Sequence, residues 1–231
     1  MNDRIYSMGR LYHRDERDDD YPVSTLLASM PRSTETKRFW FSDGWWGDQG
    51  HTPHCVAYSW AHFIHDGPKV GTIYRDKSPI VDTRTLYCEA KKRDPWPGDC
   101  DTPLYDGTSV RAGAKVLKDW GHIAEYRWAK SAAEVISTLL VQGPVIAGTW
   151  WRYDMFFPNS EGIIKITGHN VGGHAYVING VNLETGFFRI KNSWGTRWGR
   201  GGHALISIED MDSLIKNFGE VCVPLQKRFE G

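Results

Sequence analysis

The chain changes texture at Gly143-Pro144, and that change limits what it can fold into more than any other feature. Upstream, apolar residues recur at helical spacing; downstream, short strand-like runs alternate with Gly, Asn and Pro. Val56, Ala57, Trp60, Phe63 and Ile64 fit a helical period starting at Cys55, and Gly67-Pro68 stops it. Residues 85–92 and 109–120 read as two more helices, the second ended by Gly121. Ser131 and Glu134 form a capping box ahead of Val135, Ile136, Leu139 and Leu140. Strand patterns then cover 145–150, 162–166, 175–181, 187–192 and 203–208, with a short helix over 210–218 and a last strand over 220–224. Helices followed by strands predict an α+β protein with a helical lobe at roughly 50–143 and a β lobe at roughly 144–225. A length of 231 residues fits one domain, or two lobes packed together.

Residues 1–35 read instead as an extended polar arm, kept non-helical by Pro22 and Pro31, so that the domain proper takes 36–231. The run Asp15-Glu16-Arg17-Asp18-Asp19-Asp20 has the residues of a metal cluster, but its mixed signs favour a solvated surface segment. Lys plus Arg and Asp plus Glu both number 28, so there is no basic excess to suit nucleic acid or an anionic membrane. No run approaches the ~20 apolar residues of a membrane span. The first twenty residues lack a secretory core, which leads to the expectation of a cytoplasmic protein. On that expectation the four cysteines, which have the number for two disulfides, are free thiols. No zinc-ligand spacing or phosphate loop occurs, so no metal or cofactor is expected.

The chemistry starts at Cys55. The loop Gln49-Gly50-His51-Thr52-Pro53-His54 feeds its helix, placing the thiol at or near a helix N-terminus. There the dipole and unpaired N–H groups favour the thiolate, which is the nucleophilic form. A backbone N–H and the Gln49 side-chain amide would hold an oxyanion. The same residues also suit an inert, buried helical cysteine. A nucleophilic cysteine needs a base and an orienting partner. In Gly172-Gly173-His174-Ala175 a histidine sits at the mouth of a strand behind two small residues. Eighteen residues on, Asn192 ends the next strand, able to accept from the imidazole, and Trp194 is placed to cover that bond. His51 and His54 are rival bases, but neighbouring side chains at a helix start point apart, which favours wall or supporting roles. His62 and His65 read as ordinary helix residues.

These pieces together resemble the papain family of cysteine peptidases. Gln49 stands six before Cys55, His174 precedes Ala175, Asn192-Ser193-Trp194-Gly195 follows intact, and 196–202 continues in the family's manner. The resemblance covers roughly 35–225 and implies a papain-like two-lobe fold with the cleft between lobes. It implies a thiolate–imidazolium pair of Cys55 and His174, an acyl-enzyme, and Gln49 with the Cys55 N–H at the oxyanion. Asp106-Gly107-Thr108 resembles the family's Asn-Gly-Gly strip, whose backbone pairs with substrate, and Gly173 and Trp194 join it as substrate-binding candidates. Thr108 is a departure expected to narrow that edge. Thr52 stands where a half-cystine is usual, and Cys88 and Cys100 fall near other half-cystines of the family. The short arm, in place of a long propeptide, resembles bacterial and bacteriophage members, which implies a component of a phage particle as the alternative to a cytoplasmic location. It is expected to wrap the domain, to block part of the cleft, or to serve a protein assembly.

The resulting expectation is an endopeptidase acting on polypeptides. Two alternatives share the residues: a papain-fold binding or structural subunit with little turnover, and another acyl transfer such as isopeptide or peptidoglycan cleavage.

Overall fold

The computed structural model describes residues 6–40, 45–68 and 81–226. Six α-helices are described: α1 (Val23–Leu27), α2 (Cys55–Asp66), α3 (Thr83–Lys91), α4 (Val110–Asp119), α5 (Ala132–Val141) and α6 (Ile208–Lys216). The strands are β1 (Lys37–Phe39), β2 (Ile123–Ala129), β3 (Val145–Arg152), β4 (Asn170–Asn182), β5 (Phe187–Lys191), β6 (His203–Ser207) and β7 (Glu220–Gln226). They form one sheet ordered β2-β7-β3-β4-β5-β6, with β1 also paired to β4. All named pairs are antiparallel. The expected α+β class is the one observed.

Local chemistry sets most boundaries. Asp82, Ser109, Ser131 and Ser207 cap α3, α4, α5 and α6, each accepting an N–H from the first turn. The second arm of the Ser131 capping box lands one residue early: Glu134 accepts from the Lys130 N–H. α2 is buried almost throughout, as expected of a central helix. Its Trp60 donates to the Val110 carbonyl at 3.1 Å, and Gly113 of α4 makes room, since a Cβ there would lie 2.3 Å from the indole. Removing the Trp60 side chain would cost about 3–5 kcal/mol.

Several expectations are corrected. Residues 162–166 form no strand; only Ile163 bridges to Leu205, because Gly162 turns with φ 80. Two strands escaped the pattern reading, β1 and β2. α5, which lies in the sequence half expected to be helical, packs on the sheet's core through Ala132, Val135 and Leu139. The arm is not uniformly extended: Glu16–Asp20 is a 3-10 turn and α1 a short helix, both lying between the prolines or ahead of them. Nor is the acidic run simply solvated. Arg111 bonds Asp15 at 2.9 Å and also Asp18, and Lys130 bonds Asp19 at 2.5 Å. Among the described residues no cluster fit for a metal is found.

The cysteines also depart from expectation. Cys88 and Cys100 form a disulfide with a Cα separation of 4.8 Å; Cys55 and Cys222 are free and buried. Turns close that loop: Asp94 accepts from the Trp96 N–H, and Asp99 from those of Asp101 and Thr102.

Candidate active site

Cys55 is the first residue of α2, with His54 as N-cap. The loop before it is built by short-range bonds. Asp48 accepts from the Gly50 N–H, and the Gln49 carbonyl accepts from Thr52 through both its N–H and its hydroxyl. Thr52, at the half-cystine position of the resemblance, thus braces the loop by hydrogen bonds. His174 lies in β4, opposite Thr149 of β3. β4 and β5 pair from Val177–Lys191 outward, which carries Asn192 alongside the histidine.

The His174 Nε2 and Asn192 Oδ1 are 2.8 Å apart, and the Asn192 oxygen also accepts from the Ser193 N–H. Trp194 stacks on the imidazole at 4.6 Å, and Trp151 meets it edge-on. Both histidine and asparagine are fully buried. The other ring nitrogen, Nδ1, has no hydrogen-bond partner. The Cys55 sulfur is approached by the backbone N–H groups of Val56, Ala175 and Gly9. Burial pushes the thiol up to about 12 and holds His174 down at about 4, where the Asn192 bond only partly compensates.

The Gln49 side chain is 3% exposed, and its oxygen accepts from the Ser193 hydroxyl at 2.5 Å. That bond fixes which end of the amide points into the cleft. Ser193 was visible in the sequence only as part of a motif; its orienting role needed the fold, because the partner lies 144 residues away.

The cleft is filled by the arm. Tyr6 stacks on Trp194 at 4.3 Å, Gln49 donates to the Ser7 carbonyl at 3.0 Å, and Gly9 faces the Cys55 sulfur. The N–H groups of Gly9 and Arg10 both reach the Gly173 carbonyl. Thr108 donates to the Gly9 carbonyl and accepts from the Leu11 N–H, each at 2.9 Å. Gly9 and Gly107 allow this approach: a Cβ at Gly9 would lie 2.1 Å from the Pro53 oxygen, and one at Gly107 2.3 Å from the Gly9 oxygen.

The remaining candidates sort by these contacts. Gly107, Thr108, Gly173 and Trp194 meet the arm, whereas Asp106 is exposed and makes none of those bonds. Thr108 does not narrow the cleft, because its hydroxyl bonds Asp94, itself paired with Lys91 at 3.1 Å. His54 packs on Tyr87, whose hydroxyl accepts from the Gly107 N–H. His51 is exposed and offers its carbonyl to Ser7. His62 and His65, read as ordinary helix residues, lie in α2 and are buried: His62 accepts from the Gly47 N–H, and both rings contact Trp45.

With fold and cleft in view, the chain can be placed by similarity. It matches the papain family cysteine protease model over residues 81–219 and belongs to that family. The matched span holds His174 and Asn192 and begins after Cys55. The chain is 30% identical over 153 residues to the cathepsin B-like cysteine proteinase 3 of Ostertagia ostertagi, covering 62% of this chain and 87% of that protein. It is 30% identical to cathepsin B-like cysteine proteinase 2 of Haemonchus contortus, with 63% of this chain and 45% of that protein covered. Xylellain, a cysteine protease from Xylella fastidiosa, superposes with a TM-score of 0.68 at 21% identity, over 99% of this chain and 100% of its own. Digestive procathepsin L2 proteinase from Tenebrio molitor also gives 0.68, at 18% identity, over 95% of this chain and 78% of its own. The chain is a papain-like cysteine peptidase, a hydrolase.

Proposed function

We propose that the protein is an endopeptidase that cleaves internal bonds of polypeptides through Cys55, and that residues 6–10 hold it latent. One observation carries this reading: a single extended segment lies across both sides of the thiol, from Tyr6 on Trp194 to Arg10 beside Thr108. A cleft that seats backbone on either side of its nucleophile suits the middle of a chain.

In the working enzyme the Cys55 proton passes to His174 Nδ1, and the thiolate attacks the peptide carbonyl. Gln49 Nε2 and the backbone N–H at the start of α2 hold the developing oxyanion. The Asn192 bond to Nε2 leaves Nδ1 as the ring nitrogen that takes up this proton. His174 then gives its proton to the departing amine, and water releases the acyl group by the reverse sequence.

The arm opposes each step. It occupies the Gln49 donor with Ser7 and strips water from the thiol and imidazole. It also shows the sulfur an N–H of the Met8-Gly9 unit, whose carbonyl points the opposite way across a planar trans peptide. The same occupancy favours the second reading, a papain-fold subunit of a larger particle with little turnover; a bacterial or phage setting belongs to that reading.

Hydrolysis of a fluorescent denatured protein, followed with and without weakening of the arm, tests both. The endopeptidase reading expects internal fragments that vanish in Cys55→Ala. Undiminished cleavage in Cys55→Ala, or none from any arm-weakened form, would overturn it.

A further inference from the structure

Two charged side chains that the chemistry does not use are wholly buried behind one wall of the cleft. The Lys91 ammonium and the Asp94 carboxylate pair at 3.1 Å, with both side chains 0% exposed. Burying an ion pair costs its hydration and often adds nothing to stability over well-packed apolar residues, so its use lies in the geometry it imposes. The contacts of this pair converge on the strip at 105–108. Thr108 donates its hydroxyl to Asp94 Oδ2 at 2.8 Å, and Lys91 donates to the Tyr105 carbonyl at 3.5 Å. One turn earlier on α3, the Tyr87 hydroxyl accepts from the Gly107 N–H at 3.1 Å. Residues four apart share a helix face, so α3 presents Tyr87 and Lys91 to the strip together. The other Asp94 oxygen accepts from the Trp96 N–H, which fixes the carboxylate's own orientation.

Thr108 is where this arrangement acts. Its hydroxyl is held by Asp94, while its N–H donates to the Gly9 carbonyl and its carbonyl accepts from the Leu11 N–H. Threonine is β-branched and stiff about χ1, so holding the hydroxyl also holds the two flanking peptide planes. A glycine at this position, as in the Asn-Gly-Gly strip, has no side chain to be held. We infer that Lys91 and Asp94 are positioning residues for substrate: acting through Thr108, they fix the N–H and the carbonyl that pair with substrate backbone. The inference rests on the peptidase reading, in which substrate takes over the two bonds the arm now makes. It goes beyond that reading by naming residues that touch neither substrate nor thiol.

The alternative is that the pair only stabilises its own loop. Full-length protein carrying Gly9→Ala, which displaces the arm, would be assayed on a quenched fluorescent peptide. Cys55 alkylation by iodoacetamide reads the thiol alone. Thr108→Val, which keeps the shape and removes the hydroxyl, is expected to raise KM about tenfold with kcat within about threefold, as a loss of ground-state binding does. Thr108→Ser, which keeps the hydroxyl, should hold KM within about threefold of the Gly9→Ala parent. The double variant Lys91→Met/Asp94→Leu removes the pair without stranding a charge and should raise KM by about the same tenfold. In all three the iodoacetamide rate stays within about threefold of the parent. An unchanged KM in Thr108→Val or in the double variant, or a rise in Thr108→Ser equal to that in Thr108→Val, would overturn the inference and leave the peptidase standing. So would kcat and alkylation falling together while KM holds. Neither cleavage nor alkylation in the Gly9→Ala parent itself would instead remove the peptidase reading and this one with it.

Discussion

The Gln49 side-chain amide donates to the Ser7 carbonyl at 3.0 Å, so the arm already holds the group that would stabilise an oxyanion. The Ser193 hydroxyl fixes the other end of the same amide. The proposed oxyanion donor is therefore oriented, but engaged with the chain itself.

The Ser193–Gln49 bond has a kinetic signature. In the arm-weakened enzyme, Gln49→Ala should lower kcat by about 10²–10³-fold, as removal of an oxyanion donor does. Ser193→Ala should cost less, on the order of tenfold, and fall on kcat with KM nearly unchanged, because it only orients the donor. Steady-state kinetics on one peptide substrate checks both. An effect of Ser193→Ala confined to KM would point to substrate binding instead.

Acid should weaken the closed state. Burial holds His174 at about 4 against an ordinary 6.5, so the unfolded chain takes up its proton first as the pH drops. The stability this histidine contributes is present above about 6.5 and is lost as pH falls toward about 4. Between pH 7 and 4.5 its share is on the order of 2 kcal/mol. His203, held at about 3 chiefly by burial, adds in the same direction. Thermal melts across this range should show a smaller pH dependence in His174→Gln than in wild type. Identical slopes would mean that His174 is not buried neutral.

The Cys88–Cys100 bridge closes a 12-residue separation on the loop that carries Asp94, the partner of Thr108. Chain-entropy arguments put a short loop of this kind at about 3 kcal/mol. Urea unfolding of the Cys88→Ser/Cys100→Ser protein should give a lower midpoint with a loss of this order. An unchanged midpoint would show that the bridge adds nothing to the fold.

Much of this was legible in the sequence for physical reasons. Helix starts were marked by Ser109 and Ser131, whose hydroxyls have a local job at the cap. Cys55, His174 and Asn192 stood out because their chemistry needs particular residue types in a particular order. β2 did not stand out, because Glu125 and Arg127 interrupt its apolar run and its pairing partner, β7, lies about a hundred residues away. Phe39 of β1 is exposed, so its three residues carry no burial pattern. The arm's path was hidden for a related reason. Gly9 looks like any glycine until Pro53 and Gly107 are seen closing on it. Thr108 read as an obstruction because its partner Asp94 is local in space but belongs to another loop.

The central claim is that the arm closes a competent site. Gly9→Ala tests it most directly, because the added Cβ would sit 2.1 Å from the Pro53 oxygen, displacing the arm without altering the domain. The measurement is the second-order rate of Cys55 alkylation by an epoxide affinity label, with the adduct located by mass spectrometry. The account predicts that Gly9→Ala reacts at least about tenfold faster than wild type, and that adding His174→Ala removes the gain. Equal rates in wild type and Gly9→Ala, indifferent to His174, would contradict it.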